Sequence, residues 1–400
     1  MNKIGILTHH SVYNFGANLQ ALSTQECLRK KGYDAYIINW IPKDLHEVYI
    51  NTTPKLQCEE HELFFKKYYR LTEECYTCKD VARVIEKEKF DGIVIGSDAV
   101  TRHFPFSYRY SIGRKGFRKV YLNSTDYYPN PYWGCFSQYL TKKIPVCMMS
   151  VSSQGTYWKD ITGWEKNKIG KSLQKCSFIS VRDSFTQEAF AYFTDNNVIP
   201  QITPDPVFSL NQNLDLSEEE KKERYVIFSF KKETMPPESW ISQLKMQFNK
   251  NNYKVVSLPY PQEECCFEVD EKIQLPLSPL DWYNIIKDSS GYIGNNMHPI
   301  VAALHNSIPV FSFDYYAVRR NKKSEPEITK SKIYDLLKNA NLLDNYYNIQ
   351  FGYNNIPDYN YVFDKIVSPD KELLKNFSSS MKQQYDLMIQ SMINYMENKK

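Results

Sequence analysis

The sequence lacks the features that mark several large classes of protein. No apolar run approaches the roughly 20 residues that a membrane-spanning helix needs. Lys and Arg total 50 against 46 Asp and Glu, and the net charge of +4 includes no basic block, so neither nucleic acid nor an acidic membrane surface is indicated as the main partner. The opening strand-like segment, residues 3–7, is too short for the apolar region of a signal peptide. Internal repeats and low-complexity tracts are also missing.

The nine cysteines are scattered, and only two pairs, Cys75 with Cys78 and Cys265 with Cys266, lie close together. A structural zinc site normally needs four ligands in two suitably spaced pairs. Carboxylates with metal-ligand spacing are not found either. The sequence therefore predicts no metal site, and we interpret the cysteines as reduced thiols of a cytoplasmic protein.

Short apolar runs alternate with helical stretches along most of the chain, a pattern that favours parallel βαβ units. Its 400 residues suggest two domains of roughly 200 residues each. Predicted strands cover residues 3–8, 35–39, 91–96, 145–150, 178–181, 225–230, 254–258, 291–294 and 309–313. We predict an α/β fold with two Rossmann-like doubly wound domains, 1–200 and 225–330, joined by a connection over 201–224. A helical tail over 331–400 should pack on the sheets or cross back to the first domain.

His298 is the residue that the pattern singles out first. A short apolar run ends at Gly294, two Asn supply turn chemistry, and an apolar helix follows Pro299. In open α/β sheets, ligands bind in the crevice beyond the carboxyl ends of the strands. Imidazole carries protons at neutral pH, so His298 is a candidate general acid or base; the alternative is a histidine satisfied inside the core.

Basic side chains also follow two predicted strands. Arg182 comes directly after strand 178–181 and before a helix that Ser184 is expected to cap. Its guanidinium is a planar fork suited to carboxylate or phosphate, although a surface ion pair with Asp183 is an equal alternative. Lys231 and Lys232 directly follow strand 225–230. They either face the same crevice as His298 or form a solvated charge pair.

The order of these segments resembles the polysaccharide pyruvyl transferase family. The resemblance runs from Lys3 to about Leu337 and is carried by residues 5–8, 14–21, 91–98, 180–183, 205–207, 293–298 and 308–310. It implies two Rossmann-like domains arranged as in GT-B glycosyltransferases, phosphoenolpyruvate as donor, and a sugar of a cell-surface glycan as acceptor. The products are a cyclic pyruvate ketal and phosphate. The family's donor positions correspond here to Arg182, Asn296 and His298.

Two positions depart from that family pattern. Asn296 stands where many relatives have arginine, and Thr101 stands where many have tryptophan. The first change removes a full positive charge from the expected donor site. We expect one of four basic residues to supply it: Lys231, Lys232, Arg319 or Arg320.

The acceptor is expected on the loops of the first domain, because amides and carboxylates pair well with sugar hydroxyls and aromatic rings offer stacking faces. The candidate acceptor residues are Asn14, Phe15, Gly16, Asn18, Asp98, Ser153 and Gln154.

The resulting prediction is a pyruvyl transferase in which Arg182 clamps the donor anion and His298 moves a proton, with no cofactor. Its partners would be phosphoenolpyruvate and a free or lipid-linked saccharide, which allows an association with the inner face of the membrane. Two alternatives stay open. One is a GT-B-type glycosyltransferase that uses a nucleotide sugar. The other is a catalytically silent member that binds a glycan, an alternative that the missing charge at Asn296 favours.

Overall fold

A computed structural model of the chain describes residues 2–113, 116–119, 123–216, 224–316 and 327–398. Two parallel six-stranded sheets carry the architecture. The strands of the first half are β1 (Lys3–Leu7), β2 (Asp34–Ile37), β3 (Gly92–Ile95), β4 (Tyr110–Gly113), β5 (Gly116–Lys119), β6 (Val146–Val151), β7 (Phe178–Val181) and β8 (Gln201–Ile202). The first sheet has the order β2-β1-β3-β6-β7-β8, while β4 and β5 form a separate antiparallel pair.

The helices of this half run between and after those strands. They are α1 (Phe15–Lys30), α2 (Lys43–Thr52), α3 (Lys55–Tyr68), α4 (Cys78–Glu88), α5 (Gly163–Gln174), α6 (Ser184–Phe193) and α7 (Leu210–Leu214).

The second half repeats the design. Its strands are β9 (Tyr225–Ser229), β10 (Lys254–Ser257), β11 (Glu271–Lys272), β12 (Gly291–Gly294), β13 (Val310–Asp314) and β14 (Tyr346–Asn348). Its helices are α8 (Glu238–Lys250), α9 (Pro279–Asp288), α10 (Met297–His305), α11 (Lys332–Asn339), α12 (Tyr359–Val367) and α13 (Lys371–Asn398). The sheet order β11-β10-β9-β12-β13-β14 is that of a doubly wound nucleotide-binding fold, with its switch point between β9 and β12.

Two helices begin where capping side chains allow them to begin, which differs from the pattern-based prediction. The polar segment 8–18 predicts a loop, with a helix from Leu19. Helix α1 instead starts at Phe15, because Asn14 accepts a hydrogen bond from the N–H of Ala17 and so satisfies a free donor of the first turn. Helix α6 is capped by Asp183, which accepts from the N–H of Thr186, and not by Ser184.

The last 70 residues are helical for the most part, but they are not one separate tail. Strand β14 pairs with β13, and Val362, Phe363 and Ile366 of α12 lie in the apolar core beneath the second sheet. Only α13 leaves this half. It crosses back, as expected of the tail, and buries Tyr385, Met388, Ile389, Met392, Ile393 and Met396 in the core of the first sheet.

The cysteines are not all free thiols. Cys78 at the start of α4 and Cys135 form a disulfide. The expectation of reduced thiols throughout is therefore wrong for this pair, which the sequence separation of 57 residues hid from a search for neighbouring cysteines. Among the described residues, no helix is long and apolar enough to cross a bilayer, and no cluster of His, Cys, Asp or Glu is arranged to hold a metal.

We predict that Ile389→Ala in α13 lowers the free energy of unfolding by about 2–5 kcal/mol, because its fully buried side chain would leave a cavity under the first sheet. Leu387→Ala, on the same helix but 62 % exposed, is the matched control and should change stability by less than about 0.5 kcal/mol. Urea denaturation of both variants checks this. Equal losses would show that α13 does not complete the first core.

Candidate functional site

The carboxyl ends of both sheets face one another, and the polar side chains that follow their strands meet in the space between them. His298 is the second residue of α10, directly after β12. Its imidazole lies against the backbone of Gly16 in α1, so closely that a Cβ atom on that glycine would be 2.0 Å from His298 Cγ. This contact joins a helix of the first half to a helix of the second, and only glycine permits it.

The electrostatic setting of His298 favours the neutral imidazole. Burial lowers its pKa to about 4; Asp98 opposes that shift, and Lys332 adds to it. The position of His298 at the start of a helix predicts that the positive end of the helix dipole lowers this pKa, but loss of water on burial is the main cause. His298 Nε2 is buried and has no hydrogen-bond partner among the described residues, so it is available to a ligand.

Arg182 follows β7, as predicted, and its side chain is only 3 % exposed. It does not pair with Asp183. Instead, Nη1 donates to Asp205 Oδ2 at 2.7 Å, and Nη2 donates to Asp98 Oδ1 at 3.4 Å. Its Nε has no partner in the described structure. The surface ion-pair alternative is therefore excluded, because Asp183 is engaged with Ser152 and with the first turn of α6.

Asp98 follows β3 and has a left-handed backbone, with φ of 78°, which is uncommon outside glycine. Burial acts to raise the pKa of its carboxyl, but the interaction with His298, where that imidazole is protonated, and with the Arg182 guanidinium outweighs that effect and holds the pKa well below its usual range. Asp98 is thus an ionised carboxylate near both Arg182 and His298, the two residues predicted from the sequence to be catalytic.

Lys332, in the first turn of α11, is the functional candidate that sequence reasoning missed. Its residue is 9 % exposed, and burial, with a further contribution from Arg182, lowers its pKa to about 8. Its Nζ lies 4.9 Å from the centre of the Tyr316 ring. The Tyr316 hydroxyl in turn donates to Asn296 Oδ1 at 3.5 Å. Tyr316 therefore connects a buried cation to Asn296.

The other four basic candidates differ in position. Lys231 lies over the ring of Tyr260, with Nζ 5.2 Å from its centre, and Lys232 is exposed. Tyr260 lines a cavity together with Asn296 and His298, so Lys231 stays a predicted source of the donor-site charge. Arg319 and Arg320 fall outside the described residues. No local pattern marks Lys332, since it is an isolated lysine next to the Ser331 that caps α11.

The predicted acceptor residues separate into those that reach the cleft and those that support it. Asn14 and Asp98 line a cavity there, Gly16 contacts His298, and Gln154 is partly exposed. Asn18 is fully buried, and its amide donates to the carbonyls of His10 and Val12. Phe15 and Ser153 are also buried, against Trp282 and Thr101 respectively, but Phe15 also lines a cavity with Asn14, Asn296 and His298. Their acceptor roles stay predictions, and the contacts of Asn18 and Ser153 are those of a scaffold.

Comparison with known proteins agrees with this arrangement. The model of the family described as polysaccharide pyruvyl transferase matches residues 14–316. The chain belongs to this family. No curated protein matches it.

Solved structures support the fold of this polysaccharide pyruvyl transferase family member. The UDP-GlcNAc 2-epimerase of Methanocaldococcus jannaschii superposes with a TM-score of 0.53 at 11 % identity, covering 93 % of this chain and 94 % of that one. The MnaA–UDP co-structure from S. aureus gives a TM-score of 0.50 at 11 % identity, covering 100 % and 97 %. At such identities the likeness concerns the fold alone: two Rossmann-like halves in a GT-B-like arrangement.

Proposed function

We propose that this transferase uses phosphoenolpyruvate as donor and forms a pyruvate ketal on a sugar of a cell-surface polysaccharide or of its lipid-linked precursor. The observation that carries the proposal is the convergence of Arg182, Lys332 and His298 at the meeting of the two sheets, in a chain of the pyruvyl transferase family.

The charges of that cluster suit the donor. Phosphoenolpyruvate carries a carboxylate and a phosphate, so its site must concentrate positive charge and N–H donors. Arg182 offers a guanidinium whose position is already fixed by two carboxylates. Lys332 supplies a second cation, which Tyr316 connects to Asn296. It would provide the positive charge for which the sequence suggested Lys231, Lys232, Arg319 or Arg320. Both residues line one cavity, together with Asp205 and Met297.

Ketal formation sets the proton requirements. One acceptor hydroxyl adds to C2 of the donor while C3 gains a proton and becomes a methyl group. A second hydroxyl then replaces phosphate at C2. Of the two protons that the hydroxyls lose, one is balanced by the proton gained at C3 and the other leaves with phosphate.

His298 is suited to deliver the proton to C3. With a pKa of about 4 its imidazole is neutral at physiological pH in the empty site, and a bound anion raises the pKa of a neighbouring imidazole. Binding of phosphoenolpyruvate would therefore raise the pKa of His298, and the protonated imidazole would then act as the acid. The free Nε2 is the atom from which the proton would be transferred.

Donor identity is tested by thermal shift. Phosphoenolpyruvate at about 100 times its dissociation constant should stabilise the protein by about 2.7 kcal/mol, and UDP-glucose should not. Arg182→Lys keeps the charge but loses the bidentate fork, so donor affinity should fall; Arg83→Lys, at an exposed surface arginine, is the control. Stabilisation by UDP-glucose alone would instead support a nucleotide-sugar glycosyltransferase, and no response to either would support a silent family member.

Lys332 gives donor binding a specific pH dependence. Because its pKa is lowered to about 8, its charge is present below that pH and is lost above it, so the affinity for phosphoenolpyruvate should fall up to about tenfold per pH unit above 8. Calorimetric titration from pH 7 to 9 checks this. Lys332→Arg should flatten the profile and Lys332→Gln should weaken binding at every pH, whereas Lys338→Arg, exposed on the same helix, should behave as wild type. Parallel profiles for all four proteins would remove Lys332 from the donor site.

His298→Asn should retain the fold and most donor binding but lower the single-turnover rate by about 10²–10⁴-fold, or roughly 3–5 kcal/mol of barrier. The assay measures phosphate released from phosphoenolpyruvate, with surface polysaccharide from the source cells as acceptor. His305→Asn is the control, because His305 is an unpartnered imidazole at the other end of the same helix. It should change stability and leave turnover unchanged. An unstable His298→Asn protein with normal specific activity would show that His298 is only a core residue.

A further inference from the structure

A second cavity lies in the first half, on the far side of Asp98 from the proposed donor residues. We call it the His9 cavity. Its lining residues come from the loop after β1, the start of α1, α2, the segment after β3 and the turn after β5. They are His9, Val12, Asn14, Ala17, Leu45, Tyr49, Asp98, Ala99, Arg102, Thr125 and Asp126. Its cavity volume is about 140 Å³, and its mouth is open to solvent.

The charges of the His9 cavity exclude the class of ligand that the donor cluster attracts. It contains two carboxylates, Asp98 and Asp126, against one guanidinium, Arg102. Burial lowers the pKa of His9 to about 4, so this imidazole adds no positive charge at neutral pH. An anion would therefore meet net negative charge here, whereas a neutral ligand with hydroxyl groups would meet both donors and acceptors.

The ion pair on the cavity wall has a fixed geometry. Arg102 Nε and Nη2 donate to the two oxygens of Asp126 at 2.8 and 2.9 Å. Burial acts to raise the pKa of Asp126, and the charge of Arg102 opposes that shift. The Arg102 side chain is 37 % exposed and that of Asp126 only 6 %. Such a pair offers N–H donors and carboxylate acceptors in one plane, as neighbouring hydroxyls of a sugar require.

The remaining walls are apolar. Val12, Ala17 and Leu45 form a small buried cluster against which Tyr49 packs. The Tyr132 hydroxyl lies 3.2 Å from His9 Nδ1 and holds that ring in place. A pyranose ring has an apolar face of C–H groups and a polar rim, and the cavity combines the same two surfaces.

The position of the His9 cavity connects it to the chemistry. Asp98 lines its wall and also accepts the hydrogen bond from Arg182 Nη2. A ligand in the cavity would therefore be separated from the Arg182 cluster by a single side chain.

We propose that the His9 cavity is the acceptor subsite and holds one neutral sugar unit, whose hydroxyls the Arg102–Asp126 pair binds. This assignment rests on the proposed pyruvyl transfer and adds to it the location and charge class of the acceptor. Of the residues that the sequence put forward for the acceptor, the subsite contains Asn14 and Asp98; His9, Tyr49, Arg102, Thr125 and Asp126 are new.

Saturation-transfer NMR tests the subsite without donor. The probes are the methyl glycosides of glucose, galactose, mannose and N-acetylglucosamine, with methyl glucuronide as the anionic counterpart. At least one neutral glycoside should bind, and methyl glucuronide should bind more weakly than methyl glucoside. Loss of a charge-assisted hydrogen bond should weaken neutral binding by about tenfold in Arg102→Gln.

Two further variants keep the result interpretable. Arg102→Gln combined with Asp126→Asn replaces the ion pair by a neutral pair of similar size, so that no buried carboxylate is left alone, and it should also lose binding while its melting temperature stays near that of wild type. Arg70→Gln is the matched control, since Arg70 pairs with Asp34, stacks on Tyr36 and is 35 % exposed, but lies at the opposite end of the strands. It should bind the neutral glycosides as wild type does.

Neutral glycosides that bind equally to wild type and to both Arg102 variants, tighter binding of methyl glucuronide, or no binding of any glycoside would each overturn the assignment. Because phosphoenolpyruvate is absent from this experiment, its outcome is independent of the donor tests. Glycoside binding that is lost in the Arg102 variants, in a protein that neither binds nor turns over phosphoenolpyruvate, would confirm the subsite and refute the transfer reaction.

Discussion

The buried ion pairs of Arg182 hold together the region where the two sheets face each other. Its guanidinium is shared between Asp205 and Asp98, and Asp205 also accepts from Gln20 of α1. Taking such charges out of water is costly, and removing one partner leaves the others uncompensated. The arrangement therefore fixes the relative positions of β3, β7 and α1. The imidazole of His298 rests on α1, so its location depends on the same set of charges.

Asp98 divides this region into two electrostatic environments. On one side lie Arg182, Lys332 and His298, which favour anions. On the other side Asp98 joins Asp126 in a cavity whose charged lining repels anions. The proposed transfer from an anionic donor to a neutral sugar needs the two environments to be adjacent, with only the Asp98 side chain between them. A single carboxylate with an uncommon backbone conformation supplies that boundary.

Local pattern was sufficient for the main features of the fold. The nine strands predicted from apolar runs are present, and His298 and Arg182 emerge at the strand ends where the pattern placed them. The edge strands β8, β11 and β14 were missed because they contain only two or three residues each, too few to show a period. The start of α1 was misplaced because a single capping side chain, that of Asn14, decided it.

The residues that sequence reasoning did not find share another property. Lys332 differs from the other lysines of the chain only in being buried beside Arg182, and it lies 150 residues further along. Arg102 and Asp126 are 24 residues apart, and no motif relates them. Burial and long-range pairing are produced by the tertiary fold, so a single sequence without periodicity at these positions contains no signal for them.

The return of α13 to the first sheet has a consequence for how the chain is made. Residues 385–396 pack against the apolar face of the first sheet, whose strands begin at residue 3, so the first core cannot close until α13 has been synthesised. The second half depends on the same helix to a smaller degree: α12 fills the core on one face of its sheet, and Leu374 and Phe377 of α13 join the core on the other. The nascent first half must therefore wait longest with an uncovered sheet face, the kind of surface that chaperones bind.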